Sequence, residues 1–532
     1  MSTLGLVPEQ PHPWSGLLER DDVILDGGVL RIVHDSVTPQ QARIDDLLLV
    51  AAALEDAGVE IVLIRSDHSV PTLVVDVNAH AAAIVALAAL CDREPLYIKA
   101  KRQPAVLAAE APPAPAGQGA EPHAVRVYRP RITANHSLRY GASLGVHLEF
   151  WHFHDDFVEA PNDNVLTRRV IPREDLAFDT VERYGRHWRT IAGMFDPQPH
   201  EFIGDIDIVF SWVDGSTSEF QRERAARMAG YVVGEGDDGP ARYRHVDELR
   251  FALRSVHMYA PWVRRIFVAT DSPVPAWLID HPTVTFVRSE EFFADPSVLP
   301  THNSHAVEAQ LHRIPGLAEH FLYANDDMFF GRLVSPELFF TPAGVTKFVE
   351  THVRIGTGAP APHRSGHDNG LRVNRELLRT RFGRTIARDL AHCATPLRKS
   401  VMAELEQEFA EDFERTAASR FRSASDISVT NSLYHYYALM TGRAVATAQP
   451  RVRYVQTTLA TALARMERLA TRTDVDMFCL NDGGEVELPE ELRIGAIRAL
   501  LDRMFPVLPP WERAEVSDAG RTAESTNPPM AR

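Results

Sequence analysis

The chain has 532 residues, too many for one ordinary hydrophobic core, so two or three packing units are expected. Hydrophobic residues make up 45% and charged residues 24%, the balance of a folded protein rather than a disordered one. Lys plus Arg number 56 against 72 for Asp plus Glu, a net charge of −16. That excludes a global pull toward nucleic acid or anionic lipid and leaves any phosphate binding to local basic clusters.

Residues 23–33 read as strand and residues 40–57 as a helix ended by Gly58. Residues 59–64 and 73–77 read as strands, 79–90 as a helix and 96–99 as a closing strand. This alternation predicts a small α/β accessory domain over residues 1–103, without a catalytic cluster. The Pro- and Ala-rich stretch 104–122 predicts an extended linker. Residues 123–204 are expected to add lead-in strands, 205–512 to form an α/β catalytic domain, and 513–532 to be a disordered tail. The three cysteines, Cys91, Cys393 and Cys479, lack the short spacings of a disulfide framework or thiolate zinc site. They fit a reducing cytoplasm. The N-terminus has no signal-peptide pattern, and no apolar run reaches the ~20 residues that span a bilayer. The expected location is therefore the cytoplasm, with at most peripheral contact at the inner face of the membrane.

Chemistry-bearing residues fall in four segments. In DIDIVFSWVDGS (205–216) an alternating strand breaks into a turn carrying Trp212 and Asp214, and open α/β sheets place ligand sites past such strand ends. In residues 243–278 a helix sets Arg250 and Arg254 four apart, suited to gripping a diphosphate. The strand RIFVAT then ends at Asp271. In residues 299–331 a predicted helix puts Ser304, Glu308 and His312 along one face, with His305 and Arg313 beside it. Gly316 breaks the helix, and the strand HFLYA then runs into Asn325, Asp326 and Asp327. Adjacent carboxylates at a buried strand end are costly without a cation, and oxygen-only ligands suit Mg²⁺ or Mn²⁺. The fourth segment, 388–443, carries His392, Arg420 and Arg422, a potential proton carrier and anion clamps.

Together these four segments resemble the characteristic regions of the Stealth family of sugar-1-phosphate transferases, with FCLND (478–482) similar to a late motif. The resemblance implies a nucleotide-sugar transferase-like main domain that moves hexose-1-phosphate from a UDP-sugar to a saccharide acceptor, releasing UMP. Carried over by position, the catalytic residues are His392, Asp214, Glu308 and Arg422. The substrate-binding residues are Asp207, Trp212, Arg250, Arg254, Asp271, Asn303, Ser304, Asn325 and Asn481, and the metal ligands are Asp326 and Asp327. His302, His305 and His312 compete with His392 for the acid/base role. Two rivals stay open: a metal-dependent glycosyltransferase that releases UDP, and an inactive saccharide-binding capsule-assembly protein. No nucleic-acid partner is expected.

Overall fold

The computed structural model describes residues 14–66, 70–111, 123–215, 246–483 and 486–513. Residues 112–122 of the expected linker and 514–532 of the expected tail lie outside these.

The N-terminal unit starts as expected. The helix Pro39–Asp56 is capped by Thr38, whose hydroxyl accepts from the Gln41 N–H at 3.1 Å, and Pro39 fits its first turn. Gly58 ends it at φ +71°, a conformation that favours glycine.

The boundary expected at residue 103 does not hold. Strand Val146–Phe153 pairs parallel with Pro71–Asp76 and antiparallel with His123–Tyr128, which in turn pairs with Tyr97–Ala100. Strands expected as a lead-in thus complete the N-terminal sheet. Residues 106–107, expected in the linker, form its edge. An ion cluster ties the same parts together: buried Asp46, on the helix before the linker, accepts from Arg129 at 2.8 Å and Arg131 at 2.7 Å after it. Strand pairing across a gap leaves no mark in local periodicity, so the sequence shows a break where the fold has none.

The second unit is built on a five-stranded sheet. Its elements in chain order are β1 (Ile206–Ser211), α1 (Glu248–Tyr259), β2 (Ile266–Ala269), β3 (Val284–Val287), α2 (Ser304–Glu308), β4 (His320–Asn325), β5 (Met328–Phe330), α3 (Gly366–Phe382), β6 (Arg388–Leu390), β7 (Thr395–Arg398), α4 (Lys399–Glu408), β8 (Val452–Gln456), β9 (Met477–Asn481) and α5 (Glu490–Met504). The sheet order is β3-β2-β1-β4-β7, parallel except for β7. A smaller sheet, β5-β9-β8, continues from the end of β4.

Both faces of the large sheet are buried, as parallel sheets require. Ile206, Ile208, Phe210, Ile266, Val268, Leu322 and Ala324 join one core, while Val209, Phe267, Phe321 and Tyr323 join the other. Each Val, Ile, Leu or Phe among them contributes about 1.5–3 kcal/mol by leaving water. The chain runs from β1 outward to β2 and β3, then returns to place β4 on the other side of β1. The order reverses beside β1, and open α/β sheets take their ligands in the crevice outside the C-terminal strand ends at such a point, here those of β1 and β4. The class is α/β.

One expected helix is shorter than its periodicity suggests. α2 stops at Glu308 and a separate turn covers Leu311–Arg313. His312 therefore leaves the Ser304–Glu308 face and pairs with Glu406 on α4 at 2.9 Å.

Candidate active site

Two groups of side chains meet at the C-terminal end of β4. The first is an anion-binding group centred on Arg422. Its guanidinium donates to the Ser304 hydroxyl at 2.8 Å. Asn303 caps α2 by accepting from the His305 N–H, and donates to Asp426 at 2.8 Å and to the Ser419 carbonyl at 3.2 Å. It thereby ties the loop carrying Arg422 to the helix carrying Ser304. Glu308, fully buried, accepts from the Thr430 hydroxyl at 2.6 Å. Burial pushes its carboxyl above the usual range, against the pull of Thr430 and the Arg422 charge. Gly366 starts α3 against Arg422: a Cβ there would stand 2.5 Å from its Cδ. Tyr323, on β4, donates to Asn325 at 2.8 Å and so links this group to the strand end.

The second group surrounds Asp327. Its Oδ2 accepts from Asn481 at 3.3 Å and from the Cys479 thiol at 3.4 Å, both on β9. Its Oδ1 is buried with no hydrogen-bond partner among the described residues. Burial pushes this carboxyl up to about 6, with the charges of Glu248 and Asp482 adding to the rise. Tyr454 donates to Asn481 at 3.2 Å and packs its ring 5.2 Å from that of His392. Burial, helped by the neighbouring His367, lowers His392 to about 4, so its imidazole is neutral at pH 7. A buried carboxylate oxygen without a partner among the described residues fits a divalent cation, with Asp327 and the adjacent Asp326 as candidate oxygen ligands.

The remaining expected residues divide. Trp212 and Asp214 stand just past β1: the Asp214 N–H donates to Ser272 at 2.9 Å, while the Trp212 ring lies in the core, edge-on to Phe286. Asp271, exposed past β2, accepts from the Ser289 N–H at 2.9 Å. Asp207 lies at the opposite end of β1, where it is fully buried, paired with Arg264 at 2.6 Å and accepting from the Ala318 N–H at 2.7 Å. It braces the sheet away from the crevice. Arg250 and Arg254 do not form the expected diphosphate grip. Both donate to buried Glu512, Arg254 at 2.6 and 2.8 Å, and Arg254 also donates to the Phe505 carbonyl. Both side chains are buried and turned to this shared acid, which makes the pair a contact between segments.

Two residues near His392 escaped the sequence reading. His367, on α3, bonds Asp389 on β6 at 3.0 Å. One ligating atom each from His367, Asp389 and His392 lies within 4.8 Å of the others. The only hint in the sequence was the shared polar character of residues 367 and 389, on separate elements.

Fold and site define an α/β protein whose acids, amides and an arginine gather where the strand order reverses. Residues 204–232, 242–348 and 391–439 match Stealth protein conserved regions 1, 2 and 3. The second and third segments read from the sequence thus fall in one conserved region. The exopolysaccharide phosphotransferase CpsY of Mycobacterium tuberculosis is 48% identical over 509 residues, covering 95% of this chain and 96% of that protein. An exopolysaccharide phosphotransferase of Nocardia farcinica is 54% identical, over 76% of this chain and 78% of its own. The chain belongs to the Stealth family. Among solved structures, the galactosyltransferase LgtC with donor and acceptor sugar analogs overlaps 57% of this chain and 98% of its own at 12% identity. Its TM-score of 0.31 is too loose an overlap to define a shared fold.

Proposed function

We propose that this protein is an exopolysaccharide phosphotransferase, moving hexose-1-phosphate from a UDP-sugar to a hydroxyl of a saccharide acceptor and releasing UMP. The observation that carries the reading is convergence at one strand end. Arg422, bonded to Ser304, lies near enough for its charge to act on Tyr323, and Tyr323 bonds Asn325, two residues before the buried Asp327, so a phosphate oxygen and a cation would be neutralised near one strand end. Relatives covering nearly the whole chain bear the phosphotransferase name.

Phosphoryl transfer depends on positioning and charge neutralisation more than on covalent chemistry by the protein. Arg422 steadies the transferred phosphate, and Gly366 lets its side chain lie close to α3. Asn325 and Asp214 face the donor at the crevice, with Asp271 at its margin. Mg²⁺ or Mn²⁺ held by Asp326 and Asp327, with Asn481 orienting the Asp327 carboxylate, would supply Lewis-acid neutralisation of the diphosphate. His392, neutral at pH 7, takes the acceptor proton. Glu308 holds Thr430 and balances Arg422. Asp207, Arg250 and Arg254 act in the scaffold instead. Among the described residues no helix is long and apolar enough to cross a membrane. The reading places the enzyme in the cytoplasm, with at most peripheral contact at the inner face of the membrane.

A UDP-sugar labelled in its sugar-proximal phosphate tests this. The label is expected in the saccharide product, as a phosphodiester, with UMP released. Label left in UDP would make the protein a plain glycosyltransferase, and no turnover with any nucleotide sugar would support a saccharide-binding role.

A further inference from the structure

The cluster of His367, Asp389 and His392 has the make-up of a metal centre different from the acid-rich end of β4. Three elements deliver it: α3 presents His367 at its second residue, β6 presents Asp389 at its middle, and His392 follows two residues after that strand. The Asp389 carboxylate is held in place. Its Oδ1 accepts from the Leu390 N–H at 2.8 Å, and its Oδ2 is aimed at His367 Nε2 at 3.0 Å. That separation is close to what two ligands adopt when each is about 2 Å from a shared ion.

His392 is the third corner. Its ring lies between those of His367, at 5.8 Å, and Tyr454, at 5.2 Å. Its ring nitrogens make no hydrogen bond among the described residues. The ring is half-buried, so a nitrogen lone pair is open to an ion arriving from solvent. Second-sphere contacts of this kind, a backbone amide on the carboxylate and rings against the imidazole, fix ligand orientation in metal sites. His367 keeps about a third of its side chain exposed, which gives an ion a way in.

We propose that His367, Asp389 and His392 bind one transition-metal ion of the Zn²⁺ or Co²⁺ class, separately from the cation at Asp326 and Asp327. Two imidazoles and one carboxylate carry a single negative charge and nitrogen donors, which favour these ions over Mg²⁺. Three protein ligands leave a further position for water or for a hydroxyl of the substrate. Whenever the ion is bound, His392 changes from proton carrier to ligand. The proposal itself needs no donor specificity and stands whether the product is UMP or UDP.

The test uses the full chain, stripped with chelator and then titrated with Co²⁺ and with Zn²⁺. One Zn²⁺ per chain by elemental analysis is expected, with a visible Co²⁺ absorption band that millimolar Mg²⁺ does not displace. Asp389→Asn and His367→Gln should each weaken binding at least tenfold while circular dichroism stays unchanged. Asp327→Asn should leave the Co²⁺ band intact. Retention of the band in both cluster variants would overturn the assignment. So would Zn²⁺ well below one per chain, which would leave the His367–Asp389 pair as a plain structural hydrogen bond. If either cluster variant misfolds, the Mg²⁺ competition and the Asp327→Asn spectrum still decide where the ion sits.

Discussion

Two buried carboxylates of the catalytic unit are treated in opposite ways. Behind α1, Glu512 receives both Arg250 and Arg254, and all three side chains are nearly withdrawn from water. At the end of β4, Asp327 receives a thiol and an amide but, among the described residues, no cationic side chain, and one oxygen is left over. A buried acid met by two guanidiniums is a joint between segments. A buried acid met only by weak neutral donors is held at a cost, which a bound cation would remove. The comparison teaches that charge in a motif does not by itself mark a ligand site; what matters is whether the protein has already answered that charge.

The largest effect expected is on the joint. Glu512→Ala should cost about 3–5 kcal/mol, because it leaves two guanidiniums buried without their acid. The check is a urea unfolding curve, and a loss below about 1 kcal/mol would show that the three charges are not a unit. Next is the acid at the site. Asp327→Ala should reduce transfer by roughly 10²- to 10³-fold with little loss of stability, since the acid it removes is poorly satisfied. Full activity in this variant, or in the wild type with chelator present, would erase the contrast between the two acids.

A smaller effect sharpens the position of Arg422. Gly366→Ala places a Cβ against that side chain. A displacement of about 1 Å should cost about ten- to a hundredfold in kcat/KM. Arg422→Lys should not rescue it, because a point charge does not reproduce the guanidinium fork.

The smallest concerns pH at the joint. Burial lowers His257, on α1 beside Trp511, to about 4 from an unfolded value near 6.5. The unfolded chain therefore takes up this proton first as pH falls. Stability from this group is full above about pH 6.5 and declines between there and pH 4. His257→Gln should recover about 1–3 kcal/mol of that loss at pH 4 relative to pH 7, measured as the pH dependence of urea midpoints.

The parts of the candidate site that follow local rules were legible in the sequence. The ends of β1, β2 and β4 were visible as apolar runs stopping at Asp214, Asp271 and Asn325–Asp327. Ser304 and Glu308 share one helical face, and Arg422 does meet Ser304. What was not legible depends on distant partners. Arg254 looked like a phosphate ligand because nothing in its own helix announces Glu512, 258 residues later. Asp207 was carried over as a site residue by the family resemblance, yet it sits at the strand's other end, against Arg264. The boundary at residue 103 failed because sheet pairing crosses the Pro/Ala-rich stretch. His367 and Asp389 went unseen because α3 and β6 bring them to His392 only in three dimensions.

The joint at Glu512 also sets an order of events during synthesis. Arg250 and Arg254 leave the ribosome 262 and 258 residues ahead of the acid that neutralises them. At about 5–20 residues per second, that is a wait of roughly 15–50 s. Throughout it, the Arg254 guanidinium on α1 is without the buried acid and the Phe505 carbonyl that it meets in the folded chain. The contacts that tie α1 to the Glu512 segment therefore form only after a stretch of chain longer than the whole five-stranded sheet unit up to β7 has been made.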